Sequence, residues 1–284
     1  LRFWMDRGVR IFRVDNPHTK PTGFWEWLLG EIRSTDPDVI FLCEAFTRPK
    51  VMRALAKVGF TQNYTYFTWR NAKAELVDYF TELTSTEVVE YLRGNLFTNT
   101  PDILHAFLQN APRSAFKIRA TLAATLSPLW GMYNGFELCE GTARPGTEEY
   151  LDSEKYQYKV WDWDRPGNIK DYIARLNKIR ADEPALQKFR NLRFCDADNG
   201  NIIFYAKYTS DFRNIILVAV NLDPYGVQDC YVRVPLHDLN IQANQDYEVQ
   251  DLITGESFLW KGERNFVRLD PKKESAHVLK LIPN

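Results

Sequence analysis

The chain has 284 residues, 45% hydrophobic and 26% charged, enough to bury the core of one large domain or two ordinary ones. A formal net charge of -1 and the lack of a long basic stripe argue against nucleic acid as the main partner. No apolar run reaches membrane-spanning length and no signal-peptide pattern is seen, so no membrane partner and a cytoplasmic setting are expected.

Leu1 to Arg7 read as the end of an amphipathic helix without its beginning, which suggests a fragment of a longer protein. From Gly8 the chain alternates between two textures. Strand-like runs cover 9–14, 39–43, 60–66, 95–98 and 129–133. Helical segments are expected over 23–35, 50–57, 72–92 (with a break near Thr84) and 103–126. Alternation of this kind implies parallel strands joined by crossover helices, and near-continuous apolar strands imply that both faces are covered. A last helix over 169–181 has Ile169, Ile173, Leu176 and Ile179 on one face and stops before Glu183-Pro184. Beyond Leu186 short alternating runs appear, at 202–208, 214–221, 229–234, 247–251, 257–260 and 277–282, separated by turn signals such as Asp198-Asn-Gly200. They predict an antiparallel β-sandwich of seven or eight strands.

The expected fold class is therefore α/β: a partial (β/α)8 TIM barrel of five strands, then a β-sandwich. The domains are expected at 1–185 and 186–284. A closed barrel needs eight strand–helix units, so three are expected to be missing on the N-terminal side. Cys43, Cys139, Cys195 and Cys230 are isolated, without CxxC or zinc spacing, and read as buried free thiols.

Two strand ends carry the chemistry. The run Gly8-Val-Arg-Ile-Phe-Arg-Val-Asp15 ends in Arg-x-Asp, and Asp38-Val-Ile-Phe-Leu-Cys-Glu44 ends in a carboxylate. A parallel α/β barrel places such residues around its active mouth. Residues i and i+2 of a strand share a face, so Arg13 and Asp15 project together, and the guanidinium favours the ionised form that a nucleophile requires. Glu44 ends an apolar strand, where partial desolvation raises its pKa toward that of a general acid/base. An ordinary barrel ion pair is the competing explanation for each carboxylate taken singly. Asp102 follows a third strand end and fits either an N-cap or a transition-state-stabilising role. His18 suits a sugar hydroxyl or a loop brace equally, and Lys20 a loop brace. Gly131, Tyr133, Gly135 and Glu137 read as structural.

Phe12-Arg-Val-Asp-Asn-Pro-His-Thr-Lys-Pro21, Phe41-Leu-Cys-Glu-Ala-Phe-Thr-Arg-Pro49, Asn63-Tyr-Thr-Tyr-Phe-Thr-Trp-Arg70, Asn99-Thr-Pro-Asp-Ile-Leu104 and Tyr150-Leu-Asp-Ser-Glu-Lys-Tyr156 carry a more specific signal. These motifs resemble the α-amylase superfamily and, within it, the bacterial maltosyltransferases that use α-maltose 1-phosphate. The resemblance implies Asp15 as nucleophile, Glu44 as acid/base and Asp102 as transition-state stabiliser, with Arg13 accompanying the nucleophile. It also implies that Asn16, Lys155 and Tyr156 bind the donor sugar phosphate. Without it, Asn16 reads as a loop residue and Glu154–Lys155 as a surface pair. The implied substrates are α-maltose 1-phosphate and α-1,4-glucans. No metal and no organic cofactor are implied, and a homodimer of the full-length protein is left open. A superfamily hydrolase, a trehalose-forming enzyme, a glucan-binding module and an inactive fragment are the alternatives.

Overall fold

The computed structural model describes residues 1–154, 157–242 and 245–282. Its contacts divide the chain into two compact units, Leu1–Tyr66 with Tyr79–Leu96, and Phe67–Asp78 with Phe97–Asn284.

The first unit opens with α1 (Arg2–Met5), β1 (Ile11–Asp15), α2 (Thr22–Thr35), β2 (Ile40–Glu44), α3 (Pro49–Lys57) and β3 (Gln62–Tyr64). It also holds the latter part of α4 (Lys73–Ser85) and most of β4 (Gly94–Phe97). The strands are parallel in the order β1-β2-β3-β4, and β5 (Trp130–Gly131) belongs to the second unit. Side-chain parity does the sorting. Phe12 and Val14 of β1 and Phe41 and Cys43 of β2 join a core with Trp25, Leu29 and Ile32, which recur at helical spacing along α2. Phe12 stacks on Phe41 at 5.7 Å between ring centroids. The opposite parity leaves Arg13, Asp15 and Glu44 on the other face of the sheet. Proline punctuates the helices: Asp36 leaves the helical region just before Pro37, and Pro49 opens α3.

Among the described residues β1 pairs with β2 alone, so its outer edge is open. Ile11, Phe3, Trp4 and Trp27 of this unit are 55–60% exposed. An unpaired edge beside exposed apolar groups is a template for pairing. The 284-residue chain is expected to associate with rising concentration, and Ile11→Lys to reduce that association. Light scattering that reports a monomer at every concentration would refute this.

In the second unit α5 (Arg113–Leu126) is buried from Ser114 onward, as a helix covered on all sides should be. Its Thr121 hydroxyl meets Tyr172 of α6 (Lys170–Asp182) at 2.6 Å. Its Thr125 hydroxyl meets Tyr205 of the sandwich, also at 2.6 Å. The sandwich comprises β6 (Leu192–Cys195), β7 (Ile202–Tyr208), β8 (Ile215–Asn221), β9 (Gln228–Arg233), β10 (Asp246–Asp251), β11 (Ser257–Lys261), β12 (Arg264–Leu269) and β13 (Ala276–Ile282). Six strands form one sheet, β11-β10-β13-β8-β7-β6, and β12-β9 form the other. β7 and β8 are buried almost throughout, whereas β9 and β12 alternate buried and exposed residues. Phe204, Leu217, Val249 and Leu279 of the larger sheet share one core with Val232 and Val267 of the smaller.

Several expected boundaries shift. The helix expected over 103–126 begins only at Arg113, because Asn110 takes a left-handed backbone and Pro112 forms the N-cap. The break expected near Thr84 in the helix over 72–92 falls at Ser85, where α4 ends, and a short 3-10 turn at Glu87–Glu90 that Thr86 caps follows it. The strands expected over 60–66 and 129–133 shorten to β3 and β5. β6 and β12 lie outside the expected runs, since charged residues interrupt their apolar pattern. All four cysteines are free, but only Cys43 and Cys230 are fully buried.

Candidate active site

Asp15 and Glu44 end adjacent parallel strands and are direct Cα partners. Their environments differ sharply: the Asp15 side chain is 70% exposed and that of Glu44 only 7%. Arg13 lies between them, its guanidinium 3.6 Å from Asp15 Oδ1 and 3.5 Å from Glu44 Oε1. The other Glu44 oxygen, Oε2, accepts a 3.2 Å hydrogen bond from the backbone N–H of Asn16. Asn16 adopts a left-handed conformation at φ 45°, which turns that N–H back onto Glu44. The following loop is held by Trp25, whose Nε1 donates to the Pro17 carbonyl at 2.7 Å. His18 sits in this 3-10 turn, half-buried, with Nδ1 enclosed and without a hydrogen-bond partner.

Burial raises the pKa of Glu44, the Asn16 N–H and Arg13 pull it back, and the Asp15 carboxyl pushes it up again. The net direction is upward, as an acid/base near neutral pH requires. A folded-state pKa above that of the unfolded chain makes the folded state bind its proton more tightly. The stability this group contributes is present below the unfolded pKa and is lost as pH rises through the folded value. Glu44→Gln is therefore expected to raise the denaturation midpoint at neutral pH and to leave it unchanged near pH ~3, below the usual carboxylate range. A variant less stable than the parent at pH 7 would contradict the buried-charge account.

Asp102 falls in the second unit. Asp102 lies in an exposed turn after β4, where its N–H donates to Thr100 Oγ1 at 3.2 Å. The N-cap reading of Asp102 is corrected: no helix starts there, and α5 begins eleven residues later behind Pro112. Lys155 and Tyr156 lie outside the described residues. Their neighbour Glu154 is exposed, and its carboxylate accepts from Asn134 Nδ2 at 2.7 Å, Tyr133 hydroxyl at 3.1 Å and Trp161 Nε1 at 3.2 Å. Behind it, buried Asn99 binds both backbone groups of Tyr133 and donates to the Tyr150 hydroxyl. The glycines of this segment act through space: a Cβ on Gly131 would stand 2.6 Å from the Phe97 ring, and one on Gly135 2.5 Å from Trp161.

Among solved structures, the alpha-amylase of Geobacillus thermoleovorans superposes with a TM-score of 0.77 over 100% of this chain and 62% of that one, at 17% identity. An Anoxybacillus alpha-amylase gives the same score over 99% of this chain and 61% of its own. The parallel sheet followed by antiparallel sheets is thus an α-amylase-type fold: part of a barrel, then a β-sandwich. Residues 194–281 match the family described as "GLGE, C-terminal". The chain is 55% identical over 273 residues, 96% of its length, to the alpha-1,4-glucan:maltose-1-phosphate maltosyltransferase of Myxococcus xanthus. It is 53% identical over 281 residues, 99% of its length, to the enzyme of that name from Rhodospirillum rubrum. It is homologous over nearly all its length to these maltosyltransferases, and it spans 41% of the length of each.

Proposed function

We propose that this chain carries the reacting carboxylates of a retaining transfer of maltosyl units from α-maltose 1-phosphate to the non-reducing ends of α-1,4-glucans, with release of phosphate. The observation that carries this reading is the pair of partnered strand ends with Arg13 between an exposed Asp15 and a buried Glu44. Asp15 attacks the anomeric carbon as the bond to phosphate oxygen breaks, giving a covalent maltosyl-enzyme with inverted configuration. Glu44 then takes the proton of an acceptor 4-hydroxyl, whose oxygen displaces Asp15 with a second inversion and net retention. Phosphate needs little protonation to leave, so the base role of Glu44 is the more demanding one.

Asp102 is assigned to stabilising the transition state, with Asn16, His18, Lys155 and Tyr156 binding donor. Lys155 supplies a point charge suited to phosphate. Residues 1–185 are the barrel portion and 186–284 the sandwich. A cytoplasmic setting fits this chemistry, and no helix among the described residues is long and apolar enough to cross a membrane. The test is a chimera in which this chain replaces the residues it matches in the Myxococcus xanthus relative. It is expected to release phosphate while lengthening glucans by two glucose units. Free maltose in place of lengthened glucan would make it a hydrolase. In the same chimera Lys155→Ala should raise KM for donor well above any change for acceptor; equal effects would remove the phosphate role.

A further inference from the structure

The turn that carries Asp102 is a tight hairpin. Thr100 and Ile103 exchange both backbone hydrogen bonds, at 3.1 and 3.2 Å, and leave Pro101 and Asp102 at the tip. Proline at the first tip position presets the backbone for such a turn. The hairpin fixes its own shape, but its placement depends on the residues at either end. At the entrance, fully buried Asn99 accepts from the Tyr133 N–H and donates to the Tyr133 carbonyl and the Tyr150 hydroxyl. At the exit stands His105, its side chain 16% exposed. Its Nδ1 lies 3.2 Å from the Phe107 backbone nitrogen and 3.2 Å from Asn71 Nδ2. The Asn71 amide has one possible orientation. Arg119 Nη1 can only donate, so the Asn71 atom 3.0 Å from it is the amide oxygen. Asn71 Nδ2 therefore donates to His105 Nδ1, which accepts both hydrogens, and the imidazole proton sits on Nε2. Nε2 faces Glu148 Oε1 at 3.8 Å, and the Glu148 carbonyl accepts from the Leu104 N–H. Burial, helped by Arg119 and opposed by Glu148 and Glu75, holds the imidazole pKa below its ordinary value, so the ring is neutral at pH 7.

We propose that His105 is a positioning residue, whose unprotonated Nδ1 fixes the exit of the hairpin that carries Asp102. The inference rests on the transition-state role given above to Asp102. Asn99 and His105 each lie three residues from Asp102, so the two anchors bracket the carboxylate. A hairpin held at one end only would pivot about that end. The His105 anchor reaches the buried core of its unit, because Arg119 ties Asn71 to α5. Asn71 is held a second time through its own N–H, which donates to Glu75 at 3.1 Å. A displaced Asp102 would stabilise the transition state less without altering how the ground state binds, so the loss falls on kcat. Asparagine is the discriminating replacement at position 105. Its Oδ1 takes the place of Nδ1 and accepts from the same two donors, whereas alanine leaves both unmet.

The experiment measures phosphate release by the Myxococcus xanthus chimera with α-maltose 1-phosphate and a maltooligosaccharide acceptor. His105→Ala is expected to lower kcat by about 10- to 100-fold and to leave KM for the donor within about threefold. His105→Asn should restore kcat to within about threefold of the parent. In an Asp102→Ala background His105→Ala should add nothing, because its effect passes through Asp102. A loss carried by KM, an asparagine variant as impaired as the alanine one, or full additivity with Asp102→Ala would overturn the proposal. Should His105→Ala fail to fold, nitrogen NMR of the unsubstituted 284-residue chain tests the same contact. With the four histidines labelled and His105 assigned from the signal lost in His105→Asn, hydrogen is expected on Nε2 and not on Nδ1 at pH 7. The opposite tautomer or an imidazolium would overturn the proposal. Absence of phosphate release by the unsubstituted chimera would remove the role of Asp102 and this inference with it. The Nδ1 signal would then tell that failure apart from a wrong account of His105.

Discussion

Glu44→Gln in the chimera is expected to release one burst of phosphate and then stall, leaving a maltosyl unit bonded to Asp15. The physical reason is the different demand of the two steps. Phosphate departs as a stable anion, so the first step proceeds without a proton from position 44. The second step must strip a proton from a sugar hydroxyl, and glutamine cannot accept it. A general base contributes on the order of 10²–10⁴-fold, so steady-state transfer should fall by about that factor. Asp15→Asn removes the nucleophile itself and should cost ~10⁴-fold or more, with no burst and no adduct. Peptide mass spectrometry after mixing with α-maltose 1-phosphate distinguishes these outcomes. An adduct on another carboxylate, or undiminished turnover by Glu44→Gln, would end the assignment.

How far this site could be read from sequence depends on which physical rule each residue obeys. Arg13, Asp15 and Glu44 were legible because strand parity has a fixed period, and a charge at the end of an apolar run has few places to go. β1 and β2 start and stop within two residues of expectation. An N-cap remained one of two readings of Asp102 because 103–126 looks periodic throughout. The helix is in fact delayed by local backbone chemistry at Asn110 and Pro112, which periodicity does not weigh. The Asn99, Tyr133 and Glu154 contacts join residues 21 to 34 apart through loops. No periodic signal reports such pairs. The sandwich was legible as a class, but β6 and β12, whose exposed faces carry arginines, were lost among the turns.

Arg119 shows the same limit in the core, and it supports the largest expected loss of stability. The sequence places it in the middle of an apolar helix, where an arginine ordinarily marks the solvent face. In the structure it is 2% exposed. Its Nη1 donates to the Arg70 carbonyl at 2.7 Å and to Asn71 Oδ1 at 3.0 Å, and Nη2 donates to the Phe67 carbonyl at 2.6 Å. The guanidinium also lies over the Phe67 ring, 3.8 Å from its centroid. Burial pushes its pKa down to about 9, which still leaves it charged at neutral pH. These hydrogen bonds reach neutral oxygens, so no opposite charge offsets the burial of the cation. Two effects then compete in a substitution. Removing the charge relieves a desolvation cost, but it leaves three oxygens without their donor, of which the buried Phe67 carbonyl bears the full cost of about 1–3 kcal/mol and the part-buried Arg70 and Asn71 oxygens less. Arg119→Met keeps most of the volume and should cost the smaller amount, about 1–3 kcal/mol. Arg119→Ala adds a cavity beneath the Phe67 ring and should cost about 3–5 kcal/mol. Urea denaturation of the second unit's transition, compared at constant m-value, measures both. If Arg119→Met proves as stable as the parent, the guanidinium contributes nothing net, and the segment 67–71 is held by packing alone.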